Sequence, residues 1–593
     1  MKHLSRLVLL GVVALLAFPL AAHAQTNVKV SGMTNLFTSN RTPATTNSDL
    51  AFWGNLAFTG DYDGFRVFDI TNPTAPALLA TVTCTTEPGL SRAGQGDISV
   101  WRNLVFRSVD TAQTSPDCAT RRRTAAAAVT APAGFEGIDI FDVSNPSAPR
   151  EVAHVATDCG SHTHTLVPDL ARNRVLLYVS SYPAAYLSAT PTPWGNTCER
   201  LTATGAQGHD KLSIVEVPLS APQNARVIAE PQFNFAGGFQ GIPGFRGCHD
   251  ITVHTRLRIA AGACLTEGVI FDISNPAAPT IARRLVNPAI DSCARSVPNP
   301  PVEPLCLWHS ATFTWDGRFM VFGDEDGGGV TPECSTEDPS TDGAFWLHRV
   351  ASPTSPIAHF KIPRVQFDRP AGDPLLDETC TAHIMNFVPV NGRYILPSSW
   401  YFGGTSVINW TNLNNPSEMA YFEIDQSTAA GAPPYTDTWT TYWYNDYIHA
   451  NDINRGYETF RLDVPWRSQA WNLRRFNPQT QEDIASCTVR ASGPRLRADR
   501  HRHVMITVRT RNSVALIGGQ AIARARVTLR GAGVSRAATT NANGIAHVRV
   551  MPTRRGTLRI AVRNDENLLG CRTQRTVAAA AAAGAGGRLT GSR

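Results

Sequence analysis

Residues Gly134–Pro149 read GFEGIDIFDVSNPSAP, and the fold follows from this stretch. Apolar Ile138, Ile140 and Val143 mark a strand buried on one face, and Ser144-Asn145-Pro146 ends it with turn chemistry. Two near-copies lie far away: Gly64–Pro76 (GFRVFDITNPTAP) and Gly268–Pro279 (GVIFDISNPAAP). Weaker copies are Lys211–Pro222 (KLSIVEVPLSAP), Ala344–Pro356 (AFWLHRVASPTSP), Thr405–Pro416 (TSVINWTNLNNP) and Gly456–Asp463 (GYETFRLD). One such unit cannot bury its own apolar face, so seven copies imply stacking, and strand repeats of this size imply propeller blades. The expected fold class is all-β: a seven-bladed β-propeller followed by a small immunoglobulin-like β-sandwich.

The signature, a hydrophobic run followed by FD(I/V)(S/T)NP-x-x-P, resembles the LVIVD-repeat family of secreted bacterial β-propeller proteins over roughly residues 45–465. The resemblance implies architecture and export, and it brings no catalytic residue with it.

The chain's 593 residues exceed what one small core organises, and a propeller plus an appended module accounts for the length. Residues 1–24 are expected to be a signal peptide: Lys2 and Arg6, then apolar Leu7–Leu20, then Ala22-His23-Ala24 as the cleavage site. No later segment approaches a membrane span, so the expected location is secreted, periplasmic or cell-surface. The twelve cysteines contain no CxxC pair, which in an exported chain argues for disulfides over zinc. Sequential pairing (Cys84–Cys118, Cys159–Cys198, Cys248–Cys264, Cys293–Cys306, Cys334–Cys380, Cys487–Cys571) would staple one long loop per blade. The overall charge of +6 hides a split. From Cys487 onward there are 20 Arg against 3 acidic residues, or +17; the preceding chain carries 34 basic against 45 acidic residues, or −11. A basic tail on an acidic propeller suggests that the tail touches an anionic envelope polymer.

Taken in order, residues 25–47 form a lead-in whose Val28–Val30 is expected to add an outer strand to the last blade. The propeller spans 48–465, a polar linker 466–486, the sandwich 487–576 and an Ala/Gly tail 577–593. The sandwich resembles a bacterial immunoglobulin-like domain, with a hairpin turn at Asn541–Gly544. The insertion 111–133, with Arg121-Arg122-Arg123, reads as a solvated loop, so no specific nucleic-acid partner is expected. The stretches 183–208, 231–247, 288–306, 327–342 and 425–445 read as long loops. The aromatic segment Pro434–Tyr447 (PYTDTWTTYWYNDY) reads as a loop that caps the ring or offers a stacking platform.

The candidate site comes from aligning the inner strands. They start at His162 (HTHTL, which includes His164), His249 (HDITV), His309 (HSATF), His383 (HIMNF) and His449 (HANDI), with Asp49 and Asp97 in the first two blades. Equivalent starts ring one mouth of the central channel, and imidazole is the commonest ligand for zinc, copper, iron and nickel. The end of each second strand lies beside the start of the first, which adds Asp61 and Asp63 (GDYDG) and Asp324, Glu325 and Asp326 (GDEDG). Three alternatives stay open: a divalent or copper ion held by this cluster, a structural ring of histidines, or a substrate-binding ring without metal. The ring also resembles the inward histidines of methanethiol oxidases, which are copper-linked, with no shared motif beyond the histidines.

No HExxH, GxSxG or phosphate-cradling loop is present. His501-Arg502-His503 reads as a solvated strand entry, and His254, His348 and His359 as surface or hairpin residues. The expected role is an exported binding protein for a small-molecule or surface ligand. The alternatives are a metal-dependent oxidase or hydrolase using the same cluster, and a purely structural envelope component.

Overall fold

The structure, a computed structural model, describes residues 28–39, 46–84, 95–121, 134–181, 209–236, 246–293, 306–326, 338–364, 380–390, 392–425, 434–482, 485–512, 525–564 and 569–580. The signal sequence, most of the long insertions and the Ala/Gly tail fall outside these residues. The described chain is almost entirely β, and no helix in it is long and apolar enough to cross a membrane.

Each repeat is the third strand of a four-stranded antiparallel sheet and the turn that leaves it. The motif's aspartate caps that turn: Asp69 Oδ1 accepts from the Thr71 amide at 2.8 Å, and Asp142 Oδ1 from the Ser144 amide at 2.8 Å. The asparagine builds a second turn, with Asn72 Oδ1 accepting from the Thr74 amide at 3.2 Å and Asn145 Oδ1 from the Ser147 amide at 3.2 Å. Two consecutive Asx turns thus reverse the chain into the outer strand.

Among the described residues seven such sheets follow one another. Their innermost repeat strands are Asn47–Trp53, Ile98–Trp101, Thr163–Asp169, Ile251–His254, Trp308–Phe313, Ala382–Met385 and Thr438–Tyr444. Each abuts the next and the last abuts the first, so the architecture is a closed ring of the propeller type. The core lies in the seams between sheets. Phe58, Phe65, Val67, Val105 and Phe141 fill one seam, and fully buried Trp308 anchors another.

The N-terminal segment closes the ring, though not at the residues expected. Met33–Thr38 pairs with Gly456–Leu462 and completes the seventh sheet, whereas Val28–Ser31 pairs with Ser417–Ile424 as a fifth strand on the sixth. Gly32, at φ +66°, turns the chain from one sheet to the other; a side chain there would press on Ala420.

Three further expectations are corrected. Pro434–Tyr447 is no capping loop: Thr438–Tyr444 is the inner strand of the seventh sheet, and all seven of its residues are buried. His449 therefore lies on the second strand, Tyr447–Asp452. Arg121 is buried and paired with Asp139 at 2.6 Å, beside Arg107 at 3.2 Å from the same carboxylate. His254 and His348 are likewise buried.

The stretch read as a linker is part of the ring. Arg475–Phe476 pairs with Phe52 and Trp53 of the first inner strand, and Thr480–Gln481 runs parallel to Val253 and His254 of the fourth. Between them the Asn477 side chain accepts from the Val100 amide at 2.6 Å and donates to the Val100 carbonyl at 2.9 Å. Thr480 Oγ1 donates to the Leu166 carbonyl at 2.7 Å, and Gln481 Oε1 accepts from the Phe313 amide at 3.1 Å. Phe476 meets Tyr442 of the seventh sheet at 4.8 Å between ring centroids. The segment crosses the channel at the far ends of the inner strands and plugs it.

Beyond the plug, Ala485–Ser492, Arg502–Asn512 and Ile545–Val550 form one sheet. Leu496–Arg497, Leu569–Ala578, Gly556–Asn564, Arg526–Gly531 and Val534–Thr539 form a second, and the two share a core of Val504, Ile506, Val527, Leu529, Leu558 and Ile560. The disulfides Cys84–Cys118 and Cys248–Cys264 form as expected, and Cys159, Cys306 and Cys380 are also disulfide-bonded.

Candidate metal centre on the ring axis

The position that starts the inner strands is distorted in a regular way. The ladder slips by one residue at Asp49, at His309, at His383 and at Trp439, so four of the seven sheets carry a bulge at the same place. A bulge breaks the in-out alternation and re-aims one side chain, here toward the axis. The seven positions around the ring are Asp49, Asp97, His162, His249, His309, His383 and Trp439.

Four of these histidines form a continuous arc. Ring centroids are 4.4 Å apart for His162–His249, 3.8 Å for His249–His309 and 4.5 Å for His309–His383. The Nε2 atoms of His162 and His249 stand 2.7 Å apart. Three imidazoles are held by the opposite nitrogen: His162 Nδ1 lies 2.8 Å from Asp110 Oδ2, His249 Nδ1 lies 2.9 Å from Asp250 Oδ1, and His383 Nδ1 donates to the Trp439 carbonyl. Donation from Nδ1 leaves Nε2 as the acceptor, so His383 Nε2 can take the Tyr401 hydroxyl, while the apposed Nε2 atoms of His162 and His249 need a proton or a cation between them.

Glu325 completes the arc, with its two oxygens 3.5 Å from His309 Nε2 and 3.6 Å from His383 Nε2. The Tyr401 hydroxyl donates to His383 Nε2 at 3.0 Å and also faces Glu325. Two trios, His249–Asp250–His309 and His309–Glu325–His383, each bring three donor atoms within 4.8 Å of one another.

Burial governs the protonation of the arc. It pushes the Glu325 and Asp97 carboxyls well above the ordinary range and raises Asp250 and Asp49 to about 7. It drives the imidazoles of His249 and His309 well below their usual value and that of His383 to about 3. The imidazoles of His249, His309 and His383 are therefore neutral at pH 7, the form that binds metal.

The other expected ligands stand apart. Both nitrogens of His164 serve serine hydroxyls, Ser99 at 2.7 Å and Ser108 at 2.8 Å. His449 is bonded to the Tyr457 hydroxyl at 2.7 Å and the Tyr444 carbonyl at 3.1 Å, far round the seventh sheet. Asp61 accepts from the Asp63 amide at 2.9 Å, and Asp324 from the Leu307 amide at 2.7 Å and the Gly343 amide at 3.1 Å. Both are the last residue of a second strand and hold its turn. Strand alternation sends the next residue to the axis, which is why Glu325 reaches the histidines and Asp324 does not. Tyr401 follows its second strand, Ile395–Trp400, in the same way, so the rule that selected Glu325 also finds Tyr401. A third trio, Cys306–Asp324–Asp326, has its sulfur consumed in a disulfide.

The LVIVD repeat model matches residues 46–84, 133–157 and 267–285, which fall on the first, second and fourth sheets. No curated protein matches. Among solved structures, virginiamycin B lyase from Staphylococcus aureus, in a catalytically inactive form with quinupristin, is 9% identical, with a TM-score of 0.37 over 73% of this chain and 99% of that one. BamB from Moraxella catarrhalis is 9% identical, with a TM-score of 0.31 over 73% of this chain and 97% of that one.

Proposed function

We propose that the protein is an exported seven-bladed β-propeller that holds a transition-metal ion on its axis and uses that mouth to bind a small-molecule or surface ligand. In this reading the module 487–576 is an immunoglobulin-like sandwich whose positive charge tethers it to an anionic envelope polymer. The observation that carries the metal assignment is the His162–His249 pair, in which each Nδ1 is held by a carboxylate, Asp110 or Asp250, and the two Nε2 atoms face each other at 2.7 Å with room between them for one proton or one shared cation. Metal-ligating histidines are held through the opposite nitrogen by a carboxylate in this way, whereas His164 spends both nitrogens on serine hydroxyls and His383 spends its two on the Trp439 carbonyl and the Tyr401 hydroxyl. The imidazole and carboxylate donors suit zinc, copper, iron or manganese. A cation also offsets the cost of burying Asp250 and Glu325, whose only ion-pair partners among the described residues are imidazoles.

Elemental analysis of protein purified from its native compartment tests the reading. Stoichiometric copper, zinc, iron or manganese is expected, and it is lost in a His249→Ala/His383→Ala variant that remains folded. Metal-free protein whose thermal unfolding is indifferent to chelator would refute it.

A further inference from the structure

The face of the ring opposite the histidines carries a groove of its own. It lies in the seam between the fourth and fifth sheets, where the hairpins after Ile251–His254 and Trp308–Phe313 turn back, and it encloses about 660 Å³. Ile259, Ile270 and Phe319 give it an apolar lining, and Arg258, Arg283, Arg318 and Arg349 stand along it. All four arginines are exposed, and among the described residues none of them is in an ion pair, whereas the adjacent Arg284 is paired with Glu267.

Three of the four are held in place. Arg283 Nη1 donates across the seam to the carbonyls of Val350 at 2.9 Å and Ala351 at 3.1 Å. The guanidinium carbons of Arg318 and Arg349 each lie 5.4 Å from the centroid of the Phe319 ring. Cation–π attraction keeps these two together although they repel each other. Arg318 also faces the Tyr394 hydroxyl. The carboxylate of the lining, Asp272, is spent on the turn it caps, accepting from the Ser274 amide at 2.7 Å. Four positive charges against one negative leave the groove at +3, on a chain that sums to −11 before Cys487.

We infer that this groove binds a small phosphate ester with an apolar body. The inference does not depend on the metal reading, because the groove and the histidine arc lie at opposite ends of the inner strands. Guanidinium forks meet phosphate oxygens in bidentate pairs, and a phosphate near two negative charges answers +3 better than a single carboxylate does. The apolar lining favours an ester over inorganic phosphate, and a cavity of this size suits a small molecule. A soluble ester and a lipid headgroup present the same chemistry to the four arginines.

Calorimetric titration of the full chain with naphthyl phosphate at about 0.15 M salt tests the inference, with inorganic phosphate for comparison and Arg258→Gln/Arg349→Gln as the variant. The arginines beyond Cys487 are present in both proteins, so the difference between the two reports the groove. Both substituted side chains are exposed, so the variant is expected to fold. One site per chain is expected, with inorganic phosphate at least about tenfold weaker and the variant at least about tenfold weaker than the unaltered protein. Displacement of naphthyl phosphate by dispersed short-chain phosphatidic acid assigns the phosphate to a lipid headgroup; binding without displacement assigns it to a soluble ester. No binding, equal affinity of the two proteins, or no preference over inorganic phosphate overturns the inference and leaves the metal reading standing.

Discussion

Replacing Asn477 with alanine tests whether residues 471–482 seal the ring or merely lead out of it. The Asn477 side chain is 2% exposed, and its amide satisfies both the N–H and the C=O of Val100 on the second inner strand. Alanine leaves two buried backbone groups without partners. At about 1–3 kcal/mol for each such group, the expected loss is about 2–6 kcal/mol, well above the half kcal/mol typical of an exposed substitution. Asn472→Ala, on an exposed residue of the same segment, supplies that comparison. Urea unfolding followed by tryptophan fluorescence, with disulfides intact, reads the difference in midpoint. Amide exchange at Val100 reads the local effect and is expected to accelerate. Truncation after residue 465 is expected to lower the midpoint further, because it also removes the Phe476 contact with Tyr442 and the pairing with Phe52. A change below 0.5 kcal/mol in Asn477→Ala, with Val100 exchange unaltered, would show that the segment does not support the ring.

The remaining expectations concern the histidines and the tail. His449→Gln keeps the full metal complement while lowering the melting temperature, since both His449 nitrogens serve Tyr457 and Tyr444; loss of metal would place the seventh sheet in the centre. Burial lowers the His449 imidazole to about 3 in the folded chain against 6.5 unfolded. The unfolded chain therefore binds the proton first, and the stability from neutral His449 is complete above pH 6.5 and drains away as pH falls toward 3. By pH 4.5 about 2–3 kcal/mol of the difference between wild type and His449→Gln is expected to be gone, and a pH-independent difference would refute the assignment. Retention of the full chain on an anionic polymer is expected to weaken steeply with salt and to vanish when residues 487–593 are removed; salt-insensitive retention would exclude the electrostatic tether.

The repeat was legible because its chemistry is local. Asp69, Asn72, Asp142 and Asn145 act on amides two residues away, so a turn repeated in sequence is a turn repeated in space. The histidine arc was legible for sheets three to six for the same reason. It failed in the seventh, where His449 follows a Tyr-rich strand whose position-matched residue is Trp439. An alignment on histidine rather than on strand order picks the wrong strand there. The plug was illegible because its partners lie hundreds of residues away in sequence. Asn477 and Thr480 look like turn residues until the groups they satisfy, Val100 and Leu166, are brought beneath them. Asp110 was missed because it lies within a long second strand, Leu104–Gln113, rather than opening a first.

The plug and the arc form one construction. Gln479 lies against Asp250 and accepts from Thr165 Oγ1 at 3.3 Å, so the segment that seals the channel also floors the centre. The ring above it is chemically lopsided. Asp49 and Asp97 occupy the positions that become histidine in the next four sheets; burial raises both carboxyls, Asp49 lifts that of Asp97 further, and Asp250 lifts both. Their hydrogen bonds come from the Tyr442 hydroxyl and from backbone amides of Leu50 and His164, all neutral donors. Elsewhere this chain answers buried carboxylates with guanidinium, as Asp139 shows with Arg107 and Arg121. A scaffold with that remedy available has left the acids of its axis beside neutral imidazoles instead, and the complement such a set lacks is a small cation rather than a side chain.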